Sequence, residues 1–186
     1  MKNAIIIHGT YGSPDENWFP WLKENLENIG YQVEVPLFPT PDNQSLESWL
    51  NVFGSLEAKL NANSILIGHS LGAAFILTIL ESLSSPVKAV FLVSGFLGLL
   101  NNKEFDNLNI SFTARNFNWS KIKSNVKKIY IYYSDNDPYI SIENAKAISK
   151  NFDSKLIIIK NAGHFNSKSG YIKFGRLLVD IKNLDN

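Results

Sequence analysis

Ser64-Ile65-Leu66-Ile67-Gly68-His69-Ser70-Leu71-Gly72-Ala73-Ala74 is the stretch that decides the fold. Its first residues are an apolar, β-branched run of the kind that forms a buried strand, and from Ala73 onward the pattern becomes helical. Between strand and helix sits G-x-S-x-G. A sharp strand-to-helix turn holds its serine in a strained conformation and leaves no room for side chains on either flank, which is where Gly68 and Gly72 stand. Such a turn lifts the Ser70 hydroxyl above the sheet edge. It also aims the first N–H groups of the new helix at whatever the serine attacks. A bare G-x-S-x-G can arise by chance, as one more strand–helix turn; the strand before it and the helix after it make this match specific.

Outward from this turn the same alternation repeats. Apolar runs predict strands near 3–8, 31–35, 63–68, 87–93, 128–134 and 155–160, exemplified by Ile5-Ile6-Ile7, Val90-Phe91-Leu92-Val93 and Ile157-Ile158-Ile159. Near-continuous apolar runs suit strands covered on both faces, as in a parallel sheet. Helical patterns fill 17–29, 45–60, 71–84, 141–151 and 168–183, with Gly30 placed to end the first and Ser45 to begin the second. The expectation is one α/β domain over 1–186, with right-handed crossovers and helices on both faces of a six-stranded parallel sheet. Segment 95–127 is too long for an ordinary αβ connection and reads as an irregular excursion over the C-terminal edge of the sheet, a partial lid.

Composition narrows the function. The 186 residues carry 18 Lys plus Arg against 17 Asp plus Glu, so no charge footprint for nucleic acid or an anionic membrane exists. There is no cysteine, which excludes disulfides, thiolate chemistry and cysteine-based metal sites. No leader-like segment or membrane-length apolar run is present, so a cytoplasmic protein is expected. Nothing in the sequence fixes an oligomeric state.

A serine hydroxyl needs a base. The chain has three histidines, and His164 is the one that follows Ser70 at the end of a strand; in this type of site the order is serine, acid, histidine. His69 belongs to the turn and is expected to point away from Ser70, while His8 ends the first strand beside the Gly9-Thr10-Tyr11-Gly12 loop. The acid must lie between Ser70 and His164. Tyr133-Ser134-Asp135-Asn136-Asp137-Pro138 offers two carboxylates, of which Asp137 is favoured because Pro138 holds its backbone extended; Asp135 is the alternative and otherwise a turn former. A cation site made from Asp135, Asn136 and Asp137 is the rival reading, short of further ligands. The Leu71 N–H, next to the serine, is one expected oxyanion donor, and Thr10 in the loop after the first strand is the other. That loop lacks both phosphate-binding glycine patterns, and its bland reading is a glycine-rich turn. Trp18, Phe19, Trp21, Phe96, Phe112, Phe117, Trp119 and Phe165 are mostly core candidates, with some free to line an acyl pocket.

Together these segments resemble the small α/β hydrolases of the YdeN and retinoblastoma-binding-protein-nine type. The resemblance runs through Asn17-Trp18-Phe19-Pro20-Trp21-Leu22, Ile67-Gly68-His69-Ser70-Leu71-Gly72, Phe117-Asn118-Trp119-Ser120-Lys121-Ile122, Ser134-Asp135-Asn136-Asp137-Pro138-Tyr139 and Ala162-Gly163-His164-Phe165. It implies a minimal α/β-hydrolase sheet in the order 2-1-3-4-5-6, and a serine hydrolase acting on a small-molecule ester or amide. It also implies a triad of Ser70, Asp137 and His164; acyl transfer to water by such a triad requires neither cofactor nor metal. Thioester cleavage by the same triad, or a non-catalytic binding module on the scaffold, are the competing expectations. Retinoblastoma-protein binding is not implied, since a Leu-x-Cys-x-Glu motif cannot exist in a chain without cysteine.

Overall fold

The computed structural model describes residues 1–185; residue 186, included in the expected domain, lies outside the described residues. Each apolar run forms a strand: β1 (Lys2–Ile7), β2 (Tyr31–Glu34), β3 (Ile65–His69), β4 (Val87–Val93), β5 (Val126–Ser134) and β6 (Leu156–Ile159). They pair in the order β2-β1-β3-β4-β5-β6, every neighbour parallel. The chain turns outward from β1 to β2, then returns across β1 to β3. The crevice outside the carboxyl ends of β1 and β3 is therefore the switch point where open parallel sheets bind ligands.

Helices α1 (Phe19–Glu27) and α7 (Gly175–Lys182) cover one face, with Ala4, Ile6, Ile65 and Ile67 pointing into their core. Helices α2 (Leu46–Glu57), α3 (Leu71–Ser82), α4 (Lys103–Thr113), α5 (Trp119–Ser124) and α6 (Ile142–Phe152) lie on the other, where Ile5, Ile7 and Leu66 point. Period-two alternation along buried strands thus feeds two cores, one per face. Helix α3 is buried from Leu71 through Leu80, which explains why its sequence shows hardly a polar face. Ser45 begins α2 as expected, in a reciprocal cap with Ser48. Among the described residues no helix is long and apolar enough to cross a membrane.

Two expectations need correction. The segment read as irregular contains α4 and α5. Asn102 Oδ1 accepts from the Glu104 and Phe105 N–H groups, Glu104 and Asp106 stand in the first turn, and Asn118 caps α5. The Asn caps were readable signals; the low apolar content of 103–113 obscured them. The last helix begins at Gly175 rather than near 168, because Asn166 caps a 3-10 turn at Ser167–Ser169 that Gly170, at φ 79°, ends.

Candidate active site

Ser70 stands between β3 and α3 with φ 55° and ψ −119°, a conformation that costs a non-glycine residue of order 1–3 kcal/mol. Its surroundings leave it no other. A Cβ on Gly68 would lie 2.6 Å from the Gly72 carbonyl carbon, and one on Gly72 would lie 2.3 Å from Ile7 O, so the helix start is pressed onto both β3 and β1. The Ser70 N–H donates to Val93 O of β4 at 2.8 Å. From the end of β1, Gly9 approaches so closely that a Cβ there would sit 2.8 Å from Ser70 Cβ and 3.3 Å from Ser70 Oγ. The switch-point geometry thus brings the first loop against the serine.

Asp137 and His164 meet after β5 and β6. His164 Nδ1 lies 2.8 Å from Asp137 Oδ2 and 3.1 Å from Oδ1. The carboxylate is wholly buried and the imidazole nearly so. Asp137 Oδ1 also accepts from the Tyr139 and Ile140 N–H groups, and Oδ2 from Ser94 Oγ at 2.7 Å. Burial alone would raise the Asp137 pKa. The hydrogen bond and charge of His164, with the Tyr139 and Ser94 bonds, outweigh it and hold the carboxyl below its ordinary range. With Nδ1 turned to the acid, Nε2 is the ring nitrogen left for the cavity, where Ser70 also lies. Among the described residues no hydrogen bond yet joins Ser70 Oγ to His164; such contacts often tighten only when substrate binds.

The residues before Asp137 hold the histidine loop. Asp135 Oδ1 accepts from Asn161 N–H, Asn136 Oδ1 from Gly163 N–H, and Ser134 Oγ from Ala162 N–H. That loop needs three left-handed residues, Asn161, Gly163 and Phe165. These oxygens are engaged by protein donors rather than arranged around a cation, and among the described residues no cluster of His, Cys, Asp or Glu fit to hold a metal occurs. Asp135 therefore clamps the loop while Asp137 meets the imidazole. His69 supports the histidine loop as well: its Nε2 donates to His164 O at 2.8 Å, and the two rings lie 4.8 Å apart. Its burial, with the neighbouring His164 opposing a second positive charge, lowers its pKa to about 3.

The two expected oxyanion donors flank the serine. Among the described residues neither the Leu71 N–H nor the Thr10 N–H has a hydrogen-bond partner. The Thr10 loop is fixed from behind by His8. Its Nε2 accepts from Phe38 N–H, so its Nδ1 carries the proton and donates to Gly9 O at 2.8 Å. Burial lowers the His8 pKa and keeps the ring neutral for that task. Ser70, His164, Gly9 and Thr10 border one cavity of about 250 Å³. Phe96, Leu100 and Phe105 from the 95–127 excursion, with Tyr139 and Ile140, supply its apolar wall.

A family model described as serine hydrolase matches residues 4–182. The chain belongs to the serine hydrolase family. It is 31% identical to YdeN of Bacillus subtilis (strain 168) over 172 residues, 91% of this chain and 89% of that protein. It is 28% identical to serine hydrolase RBBP9 of Rattus norvegicus over 184 residues, covering 97% and 94% of the two chains. The crystal structure of the B. subtilis ydeN gene product superposes with a TM-score of 0.91 at 29% identity over 99% of this chain and 98% of that one. Est1E of Butyrivibrio proteoclasticus, solved with ferulic acid bound, shares the fold at TM-score 0.72 and 18% identity, over 98% and 90% of the chains.

In this serine hydrolase, Ser70, Asp137 and His164, the candidates that chain order and motif single out, lie together at one end of the sheet. Sequence reasoning missed the supports. Ser94 is a polar residue closing the apolar run Phe91-Leu92-Val93, a position where a hydroxyl at a strand end was the available hint. Nothing in the sequence around Asn136 or His69 distinguishes a clamp from a turn residue.

Proposed function

We propose that this serine hydrolase cleaves small carboxylic esters, and amides more slowly, through an acyl-enzyme on Ser70. The observation that carries the reading is the buried Asp137 held on His164 Nδ1 at 2.8 Å, beside the same cavity that Ser70 borders from a left-handed turn. His164 Nε2 takes the Ser70 proton as Oγ bonds to the carbonyl carbon. Asp137 keeps the imidazole in the tautomer whose Nε2 lone pair faces the serine and stabilises the imidazolium that follows. The Leu71 and Thr10 N–H groups receive the negative charge on the carbonyl oxygen, a donor of this kind being worth about 2.7–4 kcal/mol. The bond to the leaving alcohol breaks as His164 returns the proton to it. Water then enters, His164 removes its proton, and the acid leaves as Ser70 regains its hydrogen. No step calls for a cofactor.

Labelling with a fluorophosphonate probe tests this reading. Wild type should label, and Ser70→Ala and His164→Ala should not. A folded wild type that stays unlabelled would refute the nucleophile and shift the reading to a binding module. Matched acetyl oxyester, thioester and anilide substrates would then rank the bond types, with the oxyester expected fastest.

A further inference from the structure

One side chain at the cavity has a donor without a partner among the described residues. Asn109 lies on α4 and is 2% exposed, yet it borders the cavity that holds Ser70. Donor and acceptor roles around it are settled by a chain of neighbours. Thr40 Oγ1 accepts from the Tyr11 N–H, so its hydroxyl hydrogen goes to Gln44 Oε1. Gln44 Nε2 consequently faces the Leu108 carbonyl at 3.0 Å, where a donor is required, and donates to Asn109 Oδ1 at 2.9 Å. Thr10 Oγ1 donates to that same Oδ1 at 2.6 Å. Both contacts are to the amide oxygen, so Asn109 cannot be rotated end for end without placing N–H against N–H.

Its Nδ2 has no partner among the described residues. Within the described residues, Tyr133 Oη is the one side-chain nitrogen or oxygen that is both walled in and unpartnered. Asn109 Nδ2 is therefore not walled in, and Asn109 lines this cavity. A nearly buried amide with N–H groups that no protein acceptor meets is poorly satisfied until something else accepts from it. The same network shows that the Thr10 hydroxyl hydrogen is already engaged, so Thr10 can offer a substrate its backbone N–H but not its hydroxyl.

We infer that Asn109 Nδ2 donates a hydrogen bond to the bound substrate, and that the substrates preferred carry an oxygen acceptor within about three bonds of the scissile ester. This rests on the acyl-transfer reading above. Alkoxy- and oxo-substituted short acyl groups, or alcohols with an ether or hydroxyl oxygen near the ester, have the required chemistry. Plain alkyl esters leave the amide unanswered.

Two isosteric pairs test it. p-Nitrophenyl methoxyacetate and p-nitrophenyl butyrate differ by an oxygen for a methylene in the acyl chain; 2-methoxyethyl acetate and butyl acetate differ likewise in the alcohol. For each pair the ratio of kcat/KM is taken in wild type, Asn109→Leu and Asn109→Asp, which cancels the intrinsic reactivity of the esters. Asn109→Asp keeps both acceptor contacts, to Thr10 and Gln44, and so preserves the local structure while replacing the donor. At least one ratio should fall by about 3- to 10-fold in both variants, the loss of one hydrogen bond to substrate. Unchanged ratios in either variant, whatever the absolute rates, would overturn the proposal and leave Asn109 as a support for Thr10. Fluorophosphonate labelling of the same samples separates the two readings: labelled variants with unchanged ratios refute this inference alone, while an unlabelled wild type refutes the acyl-transfer reading and this one with it.

Discussion

Ser94 Oγ donates to Asp137 Oδ2 at 2.7 Å, reaching from the end of one strand to the carboxylate delivered by the next. Ser94 has φ 47°, so the hydroxyl is aimed by a left-handed residue that directly follows β4. Asp137 is thereby held from three sides: the imidazole, the Tyr139–Ile140 amides and this hydroxyl. Replacing Ser94 by glycine removes the hydroxyl while keeping the backbone conformation. A hydrogen bond to a charged group is worth about 1.5–3 kcal/mol, so Ser94→Gly should lower kcat by roughly 10- to 100-fold with little change in KM. Steady-state kinetics on a p-nitrophenyl ester check this, and an unaltered kcat would show that the amides suffice.

The pH dependence of stability should carry the mark of His69. Its pKa falls from the ordinary histidine value near 6.5 to about 3 in the folded protein. Between those values the unfolded chain binds a proton that the folded one refuses, so stability rises with pH across that window. The contribution is complete above about pH 6.5 and is lost as pH falls toward 3, at roughly 1.4 kcal/mol per pH unit. His8, also lowered by burial, adds in the same direction. His69→Gln keeps a donor for His164 O and removes the titration. Urea unfolding at pH 6.5 and 4.5 should show wild type losing roughly 2–3 kcal/mol more than the variant. Parallel losses would mean that His69 is not held neutral.

Two glycines should respond oppositely to alanine. Gly54 lies inside α2 with nothing within 4 Å of the point where an alanine methyl would stand, so Gly54→Ala should stabilise by about 0.5–1 kcal/mol. At Gly72 the methyl would meet Ile7 O at 2.3 Å, backbone against which nothing can yield. Gly72→Ala should push α3 off β1 and abolish both probe labelling and cooperative thermal unfolding. Circular dichroism melts of the two variants beside wild type decide the matter.

Among the described residues Tyr133 Oη is buried without a partner, and burial raises its pKa well above that of a free tyrosine. Deleting an unsatisfied buried hydroxyl removes a desolvation penalty, so Tyr133→Phe should be neutral or stabilising by up to about 1 kcal/mol. A loss above that size in a urea titration would show that the hydroxyl is satisfied in solution.

The legibility of this protein in its sequence follows the range of the forces involved. Ser70, Asp137 and His164 could be read as candidates because backbone geometry demands small flanks around the serine, and because the residues proposed as acid and base follow it in chain order. The alternating runs gave the parallel sheet because burial on both faces imposes a composition on each strand. Helix α4 escaped notice, as its packing relies on Phe112 and on the buried polar residues Asn109 and Thr113 rather than on an apolar stripe. Asn109, Ser94 and Asn136 acquire their roles through partners 99, 43 and 27 residues away, a relation that no local pattern encodes.

The loop after β1 and the loop after β6 are joined across the molecule, Trp18 Nε1 donating to Phe165 O at a separation of 147 positions along the chain. A fragment from either end would hold at most half of the proposed machinery. Contacts of such long sequence separation are closed late and slowly in folding. Helical signal should therefore recover during refolding before hydrolase activity does, and the activity itself becomes a timer for the moment when the two ends of the chain find each other.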